Sequence, residues 1–170
     1  MREPSSIIAE LDQNRAVFNS LLSQVTKEQI TWKAPPDKWC LLEVVCHLHD
    51  EECEDFRART KHVLVAPDQP LPPINPVGWV TERKYMKQNV EEMLGKFIDE
   101  RTNSIQWLGS LSSPNWNRAY EHPKFGAMSA RMFLNNWLAH DYFHFRQITR
   151  LKYEHLRAEG GQPLDYAGPW

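Results

Sequence analysis

The sequence contains no long hydrophobic run, no basic block and only three cysteines, and each shortage excludes a class of protein. The longest apolar stretch, Leu41 to Leu48, is interrupted by Glu43 and His47. A membrane span needs about 20 consecutive apolar residues, so no membrane partner is expected. The opening residues MREPSSIIAELDQN lack the apolar core of a secretory signal. Lys and Arg total 20 against 22 Asp and Glu, for a formal net charge of -2, and no cationic cluster stands out. A surface that tracks phosphates needs such a cluster, so nucleic acid is not an expected partner. The cysteines, Cys40, Cys46 and Cys53, crowd one segment. An odd count without an outlying partner points to reduced thiols and a cytoplasmic setting. Their spacing fits no cysteine-based zinc motif, so they read as packing or surface thiols. There is no internal repeat and no low-complexity tract.

What is present suits a folded core. A length of 170 residues fits one domain spanning 1–170. Hydrophobic residues make up 41% of the chain, with seven Trp and seven Phe to fill an interior. Four long helical patterns follow one another. The first runs from about Ser6 to Ser23, with Ser5 or Ser6 as cap and Ile7, Ile8, Leu11, Phe18, Leu21 and Leu22 as its stripe. Thr26 to Trp32 adds a short turn with capping-box spacing from Thr26 to Gln29. Ala34-Pro35-Pro36-Asp37 breaks the chain, and the second pattern runs from about Trp39 to Leu64 with Asp37 as cap. Five prolines between Ala66 and Val80 predict a long irregular loop. The third pattern spans about Val90 to Leu111, capped by Asn89, with Gly95 as a weak point. A polar connector, Trp116 to Gly126, leads to the fourth, about Ser129 to Arg157, which Gly160-Gly161 stops. No β-period alternation of any length is evident. The expected fold is all-α, a four-helix bundle with a long Pro-rich loop between the second and third helices.

The fourth helix carries chemistry. With His140 at zero and about 100° per residue, His144 lies at about 40° and Phe133, Trp137, Ile148 and Leu151 fall between about 20° and 80°. Both histidines therefore point into the apolar stripe, one turn apart. This is the i, i+4 geometry of helical zinc sites. Imidazoles on a core face need polar partners; the alternative to a metal is bonding to backbone or side chains. A third ligand must come from another helix. On the second helix His47 and His49 face opposite sides, and the apolar phase set by Val45 and Phe56 leans slightly to His49. A di-iron carboxylate site needs Glu-x-x-His pairs. None is present; Asp141-Tyr142-Phe143-His144 is the nearest approach. A mononuclear three-histidine site fits better.

The segments Lys38-Trp39-Cys40-Leu41-Leu42-Glu43-Val44-Val45-Cys46-His47-Leu48, with Asp50 after it, and His140-Asp141-Tyr142-Phe143-His144, followed by Arg146-Gln147-Ile148, resemble the DinB-like (DinB/YfiT) superfamily of metal-dependent enzymes. Their order, their separation and the four-helix layout match over nearly the whole chain. The resemblance implies the metal ligands His47, His140 and His144, and so selects His47 over His49. It implies zinc or nickel with an open coordination position. It implies a thiol S-transferase or a hydrolase acting on a small molecule, with a low-molecular-weight thiol as a possible partner, and a homodimer. The competing reading is a non-catalytic, stress-related binding or dimerisation module with a structural or vestigial metal site.

An open metal position lowers the pKa of a bound water or thiol. Glu51, one turn after His47, is the candidate acid or base; otherwise it is a solvated surface acid. Asp141 is a candidate acceptor for an imidazole on another helix, or a surface residue. Gln147 is expected to bond inside the bundle. His62, His122 and His155 lie in polar stretches and read as surface residues.

Overall fold

The computed structural model describes residues 2–33 and 35–168. It is a four-helix bundle. Helix α1 spans Pro4–Leu22 and α2 Lys27–Thr31; α3 is Leu41–Glu51 and α4 Arg57–Val65; α5 is Pro76–Glu82, α6 Val90–Ser110 and α7 Ala130–Gly160. The long members are α1, the α3–α4 run, α6 and α7. No helix among the described residues is long and apolar enough to cross a membrane.

Local chemistry sets the boundaries. Helix α1 starts two residues earlier than the serines suggest: Glu3 is its cap, without a side-chain cap bond, and Pro4 opens it. Proline suits a first turn, where no partner for its missing N–H is needed. Pro76 opens α5 in the same way, with the Asn75 side chain accepting from the Gly78 amide. The Pro-rich loop is thus irregular only up to Asn75, and the expectation of no regular structure as far as Val80 is corrected. Cys40, not Asp37, caps α3, and its N–H donates to Glu43 Oε2 at 2.8 Å. Asn89 caps α6 as expected, accepting from the Glu92 amide at 2.9 Å.

The expected second helix is one continuous helical run with a π-turn, Glu52–Phe56, between α3 and α4. Helix α3 is the central element: every residue from Leu41 to Leu48 is buried, as are Asp50 and Glu51. It packs on α6, α2, α5 and α7. Phe18, Val44, Val45, Leu48, Phe97 and Ile148 form the main core cluster. A second gathers Ile7, Leu11, Phe56, Leu108, Leu134 and Trp137.

The Trp116–Gly126 connector holds an antiparallel hairpin that periodicity missed: β1, Ala119–His122, and β2, Gly126–Ser129. Ala119 pairs with Ser129 and His122 with Gly126. Four residues per strand are too few to show an alternation. Gly126 has φ +71, a conformation that favours glycine. The His122 ring Nδ1 accepts from the Lys124 and Phe125 amides and ties the turn. Ser129 then caps α7, accepting from the Met132 amide at 3.1 Å.

Candidate metal centre

His47 projects from α3, and His140 and His144 from adjacent turns of α7. Their Nε2 atoms meet. His140 Nε2 lies 2.9 Å from His144 Nε2 and 3.3 Å from His47 Nε2. One ligand atom from each lies within 4.8 Å of the others, so the cluster fits a metal site. His49 is elsewhere. Its Nδ1 lies 2.9 Å from Asp50 Oδ1 and its Nε2 3.9 Å from Cys53 Sγ. Asp50 is held in turn by the Tyr85 hydroxyl at 2.5 Å and by Arg83 at 2.9 Å. The lean of the apolar phase toward His49 is therefore corrected.

The electrostatics keep the three rings neutral. Burial, then His144, pushes His47 down to about 3. Burial holds His140 well below the usual histidine range, with His144 and His47 adding to it. His144 is pushed down to about 4 by burial, with the nearby Gln147 side chain acting in the opposite direction. A neutral imidazole can present a lone pair at Nε2 with its proton on Nδ1. Three such lone pairs cannot satisfy one another. In a tetrahedral zinc site with Zn–N of about 2.0–2.1 Å, ligand nitrogens stand roughly 3.3 Å apart. The His47–His140 spacing matches this, and the His140–His144 pair needs to open by a few tenths of an ångström. The residues fit a divalent ion.

Aromatic side chains pack on all three rings. Trp39 packs on His47 with ring centroids 4.8 Å apart, Phe56 on His140 at 4.9 Å and Phe143 on His144 at 5.2 Å. Glu51 is buried, with Oε1 4.0 Å from His47 Nδ1, the nitrogen turned away from the other two rings. Neither atom has a hydrogen-bond partner. Burial and the neighbouring Asp55 carboxylate push Glu51 up to about 8. Glu51 is therefore not a solvated surface acid. Gln147 is half-buried, and its Oε1 and the His144 Nδ1 are both buried without a hydrogen-bond partner.

Periodicity did not anticipate the polar network next to the rings. Asp141 is fully buried and faces Arg101, not an imidazole. Arg101 is 1% exposed; it donates twice to Asp141 and its Nε lies 3.0 Å from Glu52 Oε2. Trp137 Nε1 donates to the same Glu52 oxygen at 2.9 Å, and Asn14 Nδ2 to Asp141 Oδ2 at 3.0 Å. Five residues from α1, the π-turn, α6 and α7 thus form one buried network. Hydropathy reads an arginine as solvent-facing, so no sequence signal marked Arg101. Of the outlying histidines, His62 and His122 are half-buried and serve local bonds. His155 is buried and packs on Trp32 at 5.3 Å, which corrects its surface reading. The three cysteines are unpaired; Cys40 and Cys46 are buried and Cys53 half-buried.

A four-helix bundle with three histidines gathered from its second and fourth long members defines a class. Residues 10–148 match the DinB superfamily, and the chain belongs to it. Among solved structures it is similar to YfiT from Bacillus subtilis, described as a probable metal-dependent hydrolase with an unusual four-helix bundle topology. The TM-score is 0.79 at 18% identity, covering 89% of this chain and 87% of that one. At that identity the likeness shows the shared fold. No curated protein matches the chain significantly.

Proposed function

We propose that this chain is a metal-dependent enzyme in which His47, His140 and His144 hold a divalent ion, zinc or nickel, and that it hydrolyses a small molecule. The carrying observation is the meeting of three neutral Nε2 atoms from two helices. Three imidazoles leave the ion's charge uncompensated and a coordination position free, the composition of catalytic rather than structural zinc sites. A divalent ion there lowers the pKa of a water or thiol toward neutrality. The description of YfiT as a probable metal-dependent hydrolase supports water as the nucleophile. The same free position suits a thiolate, which would make the chain an S-transferase using a low-molecular-weight thiol.

In this reading His47, His140 and His144 bind and orient. Their burial keeps them unprotonated and ready to coordinate across neutral pH. Glu51 is a candidate positioning residue for His47, because its carboxyl group lies 4.0 Å from Nδ1, the nitrogen turned away from the other two rings. A shift that brings the two within hydrogen-bond distance would hold the ligating imidazole in one tautomer and orientation. Trp39 packs on His47 and Phe56 on His140, which limits the motion of both rings. The reading includes a cytoplasmic setting, where unpaired thiols stay reduced, and a homodimer, as the superfamily resemblance implies.

The test uses tag-free protein, elemental analysis and two panels of substrates: esters and amides, and thiols with electrophiles. Stoichiometric metal and turnover that both vanish in His140→Ala are expected. Hydrolysis without added thiol separates the two chemistries. Absence of metal together with failure to rebind zinc or nickel overturns the proposal. Metal that raises thermal stability without any turnover favours a non-catalytic module.

A further inference from the structure

We infer that the substrate reaches the three-histidine centre through the cleft beside His140, and that it carries a neutral apolar group, aromatic or branched aliphatic, about one or two rings in size. This rests on the metal-centre reading and adds a route and a substrate class to it.

The three rings are unequally accessible. His47 is 6% exposed and His144 1%, whereas His140 is half-buried. His140 stands in the wall of a cleft of about 570 Å³ between the π-turn, α4, β2 and α7. That volume lies in the range of small-molecule sites, roughly 300–1,000 Å³. Phe56, Phe133, Phe143, Met128 and Met132 supply its apolar wall. Phe56 is the continuity: its ring faces the cleft and packs directly on His140. Phe143, also in this wall, leaves 51% of its surface exposed, an apolar area that a bound group would cover.

The polar groups of the cleft argue for a neutral occupant. Arg59 is committed to Asp55, Nε to Oδ1 at 2.8 Å, and to the Pro72 carbonyl at 3.1 Å. Its charge is therefore balanced by the Asp55 carboxylate in the same wall. Asn136 already donates to the Met132 carbonyl, leaving its side-chain oxygen at the rim. The two methionines come from different elements, β2 and α7, and unbranched thioethers adapt to the shape of what they touch. A second cleft, about 700 Å³, meets the centre only through Trp39 and Gln147, and its wall carries Lys38, Arg150, Glu154 and Arg157. A charged substrate would select that side instead.

The test is methionine-methyl NMR on the full metal-loaded chain, with 2-acetamidonaphthalene as a neutral apolar probe and naphthalene-2-sulfonate as its anionic counterpart. The expected result is a shift of the Met128 and Met132 methyl signals with the neutral probe. Binding should weaken about tenfold or more in Met132→Glu, and likewise in Met128→Glu, which lies on the hairpin outside the bundle; tenfold is about 1.4 kcal/mol. The proposal is overturned if the two methyls do not move, if both variants bind as the wild type does, or if the sulfonate binds more tightly than the amide. Metal content measured on the same samples keeps the two readings apart. Bound metal with no probe response removes the cleft assignment alone, and no metal removes the centre.

Discussion

Arg101 grips Asp141 with two hydrogen bonds of 2.8 Å, both side chains essentially without solvent contact. Asp141 directly follows His140 in sequence yet turns away from the triad to make this pair. Through Glu52, Arg101 also reaches the π-turn that follows the His47 helix. One buried guanidinium thus links the two elements that carry the histidines.

Removing that cation leaves two buried carboxylates without their partner. Breaking a buried ion pair costs about 3–5 kcal/mol, which at this chain length lowers Tm by roughly 10 °C. Arg101→Met is expected to show a loss of that size in thermal melts. Arg101→Lys should recover only part of it, because a lysine cannot reproduce the two-pronged grip. A loss of only a degree or two would show that the network is not what holds the helices in register.

Metal should stabilise the fold. A ligand that binds only the folded state at about 100 times its Kd adds roughly 2.7 kcal/mol, equivalent to about 5–10 °C here. Zinc added to chelator-stripped protein should raise Tm by that amount, and His144→Ala should abolish the response. An unchanged Tm in the wild type would count against binding at these residues.

Glu51 gives the metal-free protein a pH signature. Its carboxyl group is pushed from the ordinary 4.5 up to about 8. Between those values the folded chain holds a proton that the unfolded chain releases. Stability from this group is full below 4.5 and is lost as pH rises through about 8. The histidines act in the opposite sense. Their folded values lie below 6.5, so stability is lost as pH falls from 6.5 toward 4. Glu51→Gln should therefore gain stability over the wild type progressively from pH 5 to 8, at up to about 1.4 kcal/mol per pH unit. Chemical denaturation across that range checks the slope; a difference independent of pH would contradict the protonated carboxyl.

Gln147 stands one turn beyond His144 on α7, and its Oε1 and the His144 Nδ1 are each other's candidate partners, both buried and otherwise unpaired. Loss of such an outer partner typically lowers metal affinity by about 10–100-fold. Gln147→Leu should do so in competition with a chromogenic chelator while leaving the circular dichroism spectrum unchanged. Unaltered affinity would assign Gln147 to the cleft beside it rather than to the ring.

The legible part of the site was the pair His140 and His144, because α7 has one apolar face and both rings fall on it. His47 was not legible from phase. Helix α3 is buried on almost every side, so no solvent face exists to set a reference angle. The π-turn compounds this. Phe56 lies at its end, where an extra residue per turn has shifted the wheel, yet Phe56 helped to locate the apolar face that leaned toward His49. The superfamily resemblance, carried by the residues around His47, supplied what phase lacked. Arg101 and Glu52 escaped because a buried ion pair has the same composition as an exposed one. The hairpin escaped because its strands are short and its apolar content slight.

Metal stoichiometry in the wild type, His47→Ala and His49→Ala, measured by elemental analysis of tag-free protein reloaded with zinc, tests the centre most directly. The expected result is one ion per chain in the wild type and in His49→Ala, and none retained after gel filtration in His47→Ala. Zinc retained by His47→Ala and lost by His49→Ala would contradict the triad.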